Sequence, residues 1–267
     1  MALVFTDHSR EEIHLPDYPQ KIISLCPSIT ETLVKLGLTD RITGRTCYCY
    51  RPEQQVKDIP VIGGASDPDM DLIKQQHPDL IIAVKEENNR SHIEQLREHY
   101  AVYVFDINTY SDAIDMIIQL GELTGKQNEA VQMSDDIDKA FARIPQLEQP
   151  LVFLYLVWND PLMAAGKRTY INSILTSHGF TNCLSQFVQR YVTLNIEVFK
   201  KLNFDIAFLP TEPYHFTEDD RQDILSFYPE TDVRLVDGEA FSWYGFRMLD
   251  SASYLADFIN NLNEKKK

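Results

Sequence analysis

The sequence predicts an α/β protein made of two lobes, each with a mostly parallel β-sheet. Short apolar runs of strand length alternate with helical patterns along the chain, which is typical of β-α-β units. The runs fall into two series, and a long helical segment separates them. The 267 residues, 44% of them hydrophobic, supply enough apolar material for two cores.

Each series of apolar runs defines one Rossmann-like lobe. The predicted organisation is an N-terminal lobe at 1–109, a connecting segment at 110–145 and a C-terminal lobe at 146–267. The predicted strands are 21–25, 41–46, 61–63, 80–84 and 102–106 in the first lobe, and 151–158, 205–210 and 233–237 in the second.

The connecting segment is predicted to be one long helix, because apolar residues follow helical spacing through most of it. Gly121 and Gly125 lie inside this segment, and each glycine lowers helix stability by about 1 kcal/mol relative to alanine. Pro145 and Pro150 then end the helix and open the second lobe.

Local signals mark three further helices. Ser28 and Glu31 have the spacing of a capping box, so a helix is predicted directly after the first strand, with Gly37 just beyond its end. Another helix is predicted at 169–178, and the last one is predicted to begin near Arg247.

The composition of the chain limits its partners and its location. With a net charge of −15 and one basic run, at 265–267, the chain lacks the Lys and Arg clusters that bind nucleic acid. No run of about 18 apolar residues is present, so no membrane insertion is predicted. The four cysteines suit reduced thiols, and the opening residues do not form a secretory signal, so the sequence as it stands predicts a cytoplasmic protein. Removal of a leader would instead predict a periplasmic or lipid-anchored one.

Unusual residues gather where the predicted strands end, which is where open α/β sheets bind ligands. Trp158 and Trp243, the two tryptophans, lie in such loops together with several tyrosines, and this predicts a pocket for a flat or bulky ligand. The alternative is structural, with Trp158 ending a core strand and Trp243 wedging the last helix against the sheet. The candidate ligand-binding residues are Tyr48, Cys49, Tyr50, Arg51, Glu86, Glu87, Asn88, Trp158, Asn159, Met163, Arg190, Tyr214, Ser242, Trp243, Tyr244 and Arg247.

Reactive groups in the same loops leave other chemistry open. Cys47 and Cys49 could place two thiols on one face of an extended segment, although buried thiols are more common than metal ligands. No metal site is predicted, and His215 and Cys49 are retained as weak candidates for metal ligation. Glu86 and Glu87 resemble a carboxylate pair, but neighbours on an extended chain point to opposite sides, so one of them is expected to face a ligand. No phosphate-binding loop or nucleophile elbow is present, and no catalytic residue is predicted.

Sequence motifs spread over residues 7–262 resemble a known family. They are KIISLCPSITETLVKLGL at 21–38, IGG at 62–64 and HPDLII at 77–82. These motifs resemble those of the substrate-binding proteins of metal-chelate ABC importers, the receptors for cobalamin, haem and ferric siderophores. Further motifs at 85–88, 158–164, 212–214 and 236–245 resemble the branch called helical backbone metal receptors.

The resemblance implies a class III periplasmic-binding-protein fold, in which a rigid helix joins two lobes and a ligand binds in the cleft between them. It also implies a metal chelate as ligand, no required cofactor, and an ABC permease as a partner in import. The chain departs from the family's pattern at Arg90, where such receptors have a docking glutamate, and at Arg51, where the branch tends to have histidine.

The leading hypothesis is a non-enzymatic, monomeric, cytoplasmic binding protein for a corrinoid or, next, for haem or a ferric siderophore. One alternative is the mature substrate-binding component of an ABC importer. The other is an enzyme that remodels a metal chelate, with Glu86 or Glu87 as base and Cys49 as nucleophile or ligand. Stacking on the ligand is expected of Tyr48, Tyr50, Trp158, Trp243 and Tyr244, and hydrogen bonds to its periphery are expected of Glu86, Asn88, Asn159, Arg190 and Arg247.

Overall fold

The computed structural model describes residues 2–264, so the basic run at 265–267 lies outside the described residues. Contacts between Cα atoms divide the chain into two compact units. The first unit contains the chain up to Ile107, together with Ser111–Asp138 and Tyr244–Arg247. The second contains Asn108–Tyr110, Lys139–Trp243 and the chain from Met248 onward. The lobe boundaries predicted from the sequence stay predictions.

Six strands and six α-helices precede residue 142 in the described chain. The strands are β1 (Leu3–Thr6), β2 (Glu12–Leu15), β3 (Ile22–Ser24), β4 (Ile42–Arg45), β5 (Leu80–Val84) and β6 (Val102–Phe105). The helices are α1 (Pro27–Lys35), α2 (Glu53–Val56), α3 (Met70–Gln76), α4 (Arg90–Arg97), α5 (Tyr110–Thr124) and α6 (Gln127–Phe141).

A parallel sheet in the order β4-β3-β5-β6 forms the centre of the first unit. Strands β3 and β5 are buried along their whole length and are rich in isoleucine and valine, as expected for a sheet covered on both faces. The predicted strand at 61–63 forms isolated bridges to Arg45 and Pro68 rather than a strand. The antiparallel hairpin of β1 and β2 was not predicted.

The segment predicted to be one helix forms two, α5 and α6, which differs from the prediction for a physical reason. Gly125 lies between them with a φ of +73°, a left-handed conformation that ends α5. A Cβ on Gly121 would lie 2.5 Å from the Cβ of Ala130, so glycine at this position permits the close approach of the two helices.

Helix α1 does not have the predicted capping box. Its N-cap residue is Cys26, which makes no side-chain cap, and Pro27 occupies the first turn, where its missing N–H needs no partner. Glu31 pairs with Arg247 instead. The predicted end is confirmed, because Gly37 follows the C-cap residue with a φ of +79°.

The second unit is built on a mixed sheet. Its strands are β7 (Leu151–Trp158), β8 (Met163–Ala165), β9 (Phe180–Asn182), β10 (Tyr191–Thr193), β11 (Ile206–Pro210) and β12 (Asp232–Val236). Its helices are α7 (Tyr170–Ser177), α8 (Ile196–Phe199), α9 (Glu218–Phe227), α10 (Gly238–Ser242) and α11 (Met248–Glu264). The strand order is β10-β8-β7-β11-β12, and β9 also pairs with β7. Strands β9, β7, β11 and β12 run parallel, whereas β8 runs antiparallel to both β7 and β10.

Aromatic rings fill the centre of the second unit. Phe208 on β11 contacts the rings of Phe153, Tyr155 and Phe241, and all four residues are at most 1% exposed. The predicted α/β fold class with mostly parallel sheets is confirmed. Among residues 2–264, no helix is both long and apolar enough to cross a bilayer.

Candidate functional site

Each of the two larger sheets has a topological switch point. There, the strands that follow the first strand in the sequence lie on opposite sides of it. In the first unit it lies between β3 and β5, since β4 occupies the other side of β3. In the second it lies between β7 and β11, since β9 occupies the other side of β7. Ligands of open α/β sheets bind outside the carboxyl ends of strands at such points. The residues that follow these strands therefore form a candidate site in each unit.

A buried cluster lies at the switch point of the first unit. The thiol of Cys26, two residues after β3, donates to Glu87 Oε1 at 3.2 Å and lies 3.6 Å from the hydroxyl oxygen of Tyr244. Burial, and then the charge of Glu87, raises the pKa of Cys26 well above its usual value. Burial also raises the pKa of Tyr244. Tyr244 is 3% exposed, and its stacking on a ligand stays a prediction.

Cys49 is also buried, and its Sγ lies 3.1 Å from Thr46 Oγ1. Burial raises the pKa of this thiol, while hydrogen bonds from Thr30 and Thr46 oppose the shift. A thiol is a nucleophile and metal ligand in its ionised form, and this environment disfavours ionisation. Among the described residues, no group of three or more His, Cys, Asp or Glu side chains has the geometry of a metal site.

The acidic loop after β5 is a turn rather than an extended segment, because the Asn88 N–H donates to the Val84 carbonyl at 3.0 Å. Glu86 and Glu87 are half-buried, and the charges of both act on the Tyr244 hydroxyl. The expectation that extended geometry separates the two carboxylates is therefore wrong. Asn88 is buried: its Oδ1 accepts from the Val84 N–H, and its Nδ2 donates to the carbonyls of Leu25 and Ala65. These bonds to main chain give Asn88 the role of fixing three loops.

Exposed aromatic rings follow β4. Tyr48 is 58% exposed and Tyr50 is 44% exposed, and the Arg51 guanidinium carbon lies 5.6 Å from the centre of the Tyr50 ring. Cations are attracted to the faces of aromatic rings, so this contact supports the orientation of Tyr50. The loop thus presents two large amphipathic rings to solvent.

A second aromatic group follows β7 and β11 in the second unit. Trp158 is 42% exposed, its ring meets that of Tyr214 edge-to-face at 5.6 Å, and its indole N–H donates to the Asp160 carbonyl. Asn159 Nδ2 donates to Asp220 Oδ1 at 2.7 Å and lies 3.5 Å from the Tyr214 hydroxyl. These bonds fix the turn that follows Trp158, the last residue of β7.

A half-buried carboxyl, that of Glu212, follows β11 two residues before Tyr214. Glu212 Oε1 accepts from the Ser242 hydroxyl at 3.3 Å. Burial, followed by the charge of Glu239, raises the pKa of Glu212 to about 7. Trp243 is 6% exposed, so its ring lies against protein rather than in solvent.

The three remaining candidates of the second unit are Met163, Arg190 and His215. Met163 begins β8 and is half-buried, and Arg190 precedes β10, where its carbonyl accepts from the Gly166 N–H at 2.8 Å. His215 is exposed, with Nδ1 3.2 Å from the Thr211 carbonyl oxygen.

Arg247, predicted to bind ligand, forms a two-point ion pair with Glu31 in the first unit. Its Nε donates to Oε2 at 3.0 Å and its Nη2 donates to Oε1 at 2.5 Å. Both side chains are largely buried, at 14% and 3% exposure. The pair fastens the Gly245–Arg247 turn to α1, which is a structural use of the arginine.

Sequence reasoning missed Cys26 and Glu212 as candidate site residues. Each lies two residues beyond the end of a central strand, and that position was the available signal. Burial and partner contacts, which set their chemistry, come from residues distant in the sequence.

Comparison with known proteins identifies the family. The sequence profile described as "Periplasmic binding protein" matches residues 22–227, and the chain belongs to this family. The ABC transporter substrate-binding lipoprotein YvrC of Bacillus subtilis is 28% identical over 210 residues, which cover 74% of this chain and 66% of YvrC. The high-affinity heme uptake system protein IsdE of Staphylococcus aureus is 23% identical over 192 residues, covering 70% and 65%. The matched region thus spans slightly less than two thirds of each of these relatives.

The crystal structure of the periplasmic vitamin B12 binding protein BtuF of Vibrio cholerae has the same fold. It superposes with a TM-score of 0.72 at 19% identity, covering 91% of this chain and 97% of that one. Family membership confirms the prediction of a binding protein rather than an enzyme. The prediction of a cytoplasmic location finds no support in relatives described as a lipoprotein and as periplasmic.

Proposed function

We propose that this protein binds a metal chelate for an ABC importer, with a corrinoid as the leading ligand and haem or a ferric siderophore next. The observation that carries the proposal is the set of exposed aromatic rings at strand ends: Tyr48, Tyr50 and Trp158. Exposing large rings to water is unfavourable, and such rings in loops at switch points are typical of ligand-binding surfaces. Flat, conjugated chelates present the complementary face.

The names of the relatives support this ligand class. One relative belongs to a haem uptake system, and a protein of the same fold binds vitamin B12. Polar side chains next to the exposed rings, such as Asn159 and Arg51, supply hydrogen bonds for the edge of a chelate. The lack of a metal-ligating group of three among the described residues favours recognition of the chelator over direct capture of a free ion.

The thiol chemistry weighs against the alternative of a chelate-remodelling enzyme. A nucleophilic Cys49 requires a lowered pKa, and burial raises it. Glu87 accepts a hydrogen bond from Cys26, so this carboxylate supports a protonated thiol rather than an ionised one.

The test is an absorption spectrum of the freshly purified protein, followed by calorimetric titration with aquocobalamin, haemin and a ferric hydroxamate. We expect micromolar or tighter binding of one chelate. Trp158→Ala is expected to weaken it at least about tenfold, because a large stacking surface is lost. The matched control is Phe227→Ala, which removes an equally exposed ring from α9 and should leave binding intact. Failure of all three chelates to bind would reject the proposed ligand class.

A role in import also predicts where the protein acts. We propose a location outside the cytoplasmic membrane, in line with the relatives described as a lipoprotein and as periplasmic. The second candidate, a cytoplasmic carrier or sensor, keeps the same ligand. Fractionation of cells that express the complete reading frame separates the two, and light scattering of the purified protein tests the expected monomer.

A further inference from the structure

The side-chain amide of Asn159 is held in one orientation in the turn after β7. Its Nδ2 donates to Asp220 Oδ1 on α9 at 2.7 Å and lies 3.5 Å from the Tyr214 hydroxyl oxygen. An ionised carboxylate only accepts hydrogen bonds, so the nitrogen half of the amide must face Asp220. Asn159 is half-buried, and its Oδ1 makes no hydrogen bond within residues 2–264. The amide therefore keeps an unused acceptor.

Asp220 is itself held in place, because its second oxygen belongs to the N-terminal cap of α9. Asp220 Oδ2 accepts from the Thr217 N–H at 2.8 Å and from the Thr217 hydroxyl at 2.7 Å. The Thr217 hydroxyl accepts in return from the Asp220 N–H at 3.4 Å. This reciprocal arrangement is a capping box, and it fixes the Asp220 side chain. Helix α9 thereby orients an amide that follows a different element, β7.

The neighbouring groups of the turn also present acceptors. The ring of Trp158 is 42% exposed, but its indole N–H, the single side-chain donor of tryptophan, is used by the Asp160 carbonyl at 3.0 Å. The Asp160 side chain is exposed. The Tyr214 hydroxyl accepts from Asn159 and keeps its own proton as a donor. The turn after β7 thus offers a ligand two acceptors, Asn159 Oδ1 and the Asp160 carboxylate.

We propose that Asp220 is a positioning residue that makes Asn159 an acceptor toward the ligand. The site consequently prefers a chelate edged by hydrogen-bond donors, such as primary amides, over one edged by carboxylates. This inference rests on the proposed function, since it requires that a chelate stacks on Trp158.

The preference follows from which groups meet at the edge of the ligand. A ligand amide N–H would donate to Asn159 Oδ1, whereas a ligand carboxylate would place its oxygens against Oδ1 and the Asp160 carboxylate. Facing acceptors leave each other without a bond, and a site built for a hydrogen bond rejects a ligand that cannot make it. A corrinoid edged by amides meets this requirement, and haem, which carries carboxylates at its edge, does not.

The orientation of the amide can be tested without any ligand. In ¹⁵N-labelled protein, the side-chain amide protons of Asn159 should exchange with solvent more slowly than those of the exposed Asn128, and Asn159→Ala assigns them. In Asp220→Asn, the new amide should turn its oxygen toward the Thr217 N–H and its nitrogen toward Asn159. The Asn159 amide should then reverse and lose its slow exchange. Asp219→Asn removes the same charge from the exposed first turn of α9 and should retain it.

The ligand preference is tested by calorimetry with dicyanocobinamide and dicyanocobyrinic acid. Both have the same ring and axial ligands, but amides edge the first and carboxylates edge the second. The wild-type protein should bind the amide form at least about tenfold more tightly. Asn159→Ala should weaken binding of the amide form alone. Asp220→Asn should reduce the ratio of affinities about tenfold, because the donor half of Asn159 then faces the ligand, whereas Asp219→Asn should preserve the ratio.

Equal affinity of the wild-type protein for the two corrinoids overturns the inference and leaves the proposed function standing. The same holds for an equal fall of the ratio in Asp219→Asn and Asp220→Asn, and for fast exchange of the Asn159 amide in the wild-type protein. If neither corrinoid binds, and haemin and the ferric hydroxamate do not bind either, the proposed function fails and the ligand preference fails with it.

Discussion

At the residue scale, the three cysteines of the first unit differ in their exposure to solvent. Cys26 and Cys49 are enclosed by protein, and burial raises the pKa of both, whereas Cys47 is exposed to solvent. Thiol reactivity follows both the ionised fraction and access. Of the two thiols in the Cys47-x-Cys49 motif, one is therefore accessible and the other is enclosed by protein. This difference makes a metal site shared by the two unfavourable.

Alkylation checks this difference. In iodoacetamide at pH 8, Cys47 should be modified first, while Cys26 and Cys49 should react at the rate of local or global unfolding. Mass spectrometry of peptic fragments over time identifies each site. Cys47→Ser should remove the fast phase, and denatured protein should be labelled at all four cysteines. Rapid labelling of Cys49 in the native protein would revive the enzyme alternative.

The chemistry of single residues was only partly predictable from the sequence. Tyr48, Tyr50 and Trp158 were predicted in strand-end loops, and the structure exposes their rings. Burial of Trp243 agrees with the structural alternative that the sequence left open. Burial of Tyr244 was not predictable, because it depends on contacts with residues far away in the sequence. The pKa of Glu212 has the same origin, since Glu239 approaches it from another element.

At the element scale, polar contacts hold the Gly245–Arg247 turn on α1. Gly245 has a φ of +75°, and the Phe246 N–H donates to Thr32 Oγ1 at 3.1 Å. The buried pair of Arg247 and Glu31 completes the attachment. A buried pair is costly to break, because the remaining charge loses its partner in a site that water reaches poorly.

Removal of the acidic partner measures this attachment. Glu31→Gln should lower the free energy of unfolding by about 3 kcal/mol, because the Arg247 guanidinium is left uncompensated. Urea denaturation gives the value. The matched control is Glu94→Gln, which breaks the exposed pair with Arg90 and should change stability little. Equal effects of the two substitutions would show that the Glu31 pair is solvated in solution.

The contact between α5 and α6 makes a second prediction at this scale. Alanine favours helices over glycine, yet Gly121→Ala should destabilise the protein by about 1 to 3 kcal/mol, because its Cβ would overlap Ala130 and the Lys126 carbonyl. Asn128→Ala, on the exposed side of α6, is the control and should be neutral or slightly stabilising. Thermal denaturation of both variants is sufficient, and a stabilised Gly121→Ala would contradict the close packing.

Elements were predictable where the apolar pattern was long and local. Strands β5 and β7 occupy the predicted residues. A continuous run of apolar residues is typical of a strand buried in a parallel sheet. Strands β8, β9 and β10 have three residues each, too few to show a period. The predicted capping box is absent because α1 begins at Pro27, which places Ser28 inside the helix, and Glu31 pairs with Arg247, a partner 216 residues away. Gly125 correctly indicated that an unbroken helix is unfavourable at this position, since it lies between α5 and α6.

At the scale of the whole molecule, the net charge and the side chains of the candidate sites together determine which class of ligand is favoured. The net charge of −15 disfavours highly anionic ligands in general, so a chelate with exposed apolar or cationic surface is better matched than a polyphosphate. On the proposed function, the exposed aromatic rings contact the organic part of the chelate, so recognition is expected to fall mainly on the chelator.

Exchange of the metal tests this view. Replacing iron(III) by gallium(III) in the porphyrin or hydroxamate keeps charge and shape, so affinity should change by well under tenfold, or less than about 1.4 kcal/mol. Calorimetric titrations of the paired complexes give the ratio, and the metal-free chelator shows how much the ion contributes through the shape of the ligand. A loss of tenfold or more with gallium would mean that a protein atom binds the metal directly. His215→Ala and Cys49→Ser would then identify the atom, since these two side chains are the metal-ligand candidates that the sequence offers.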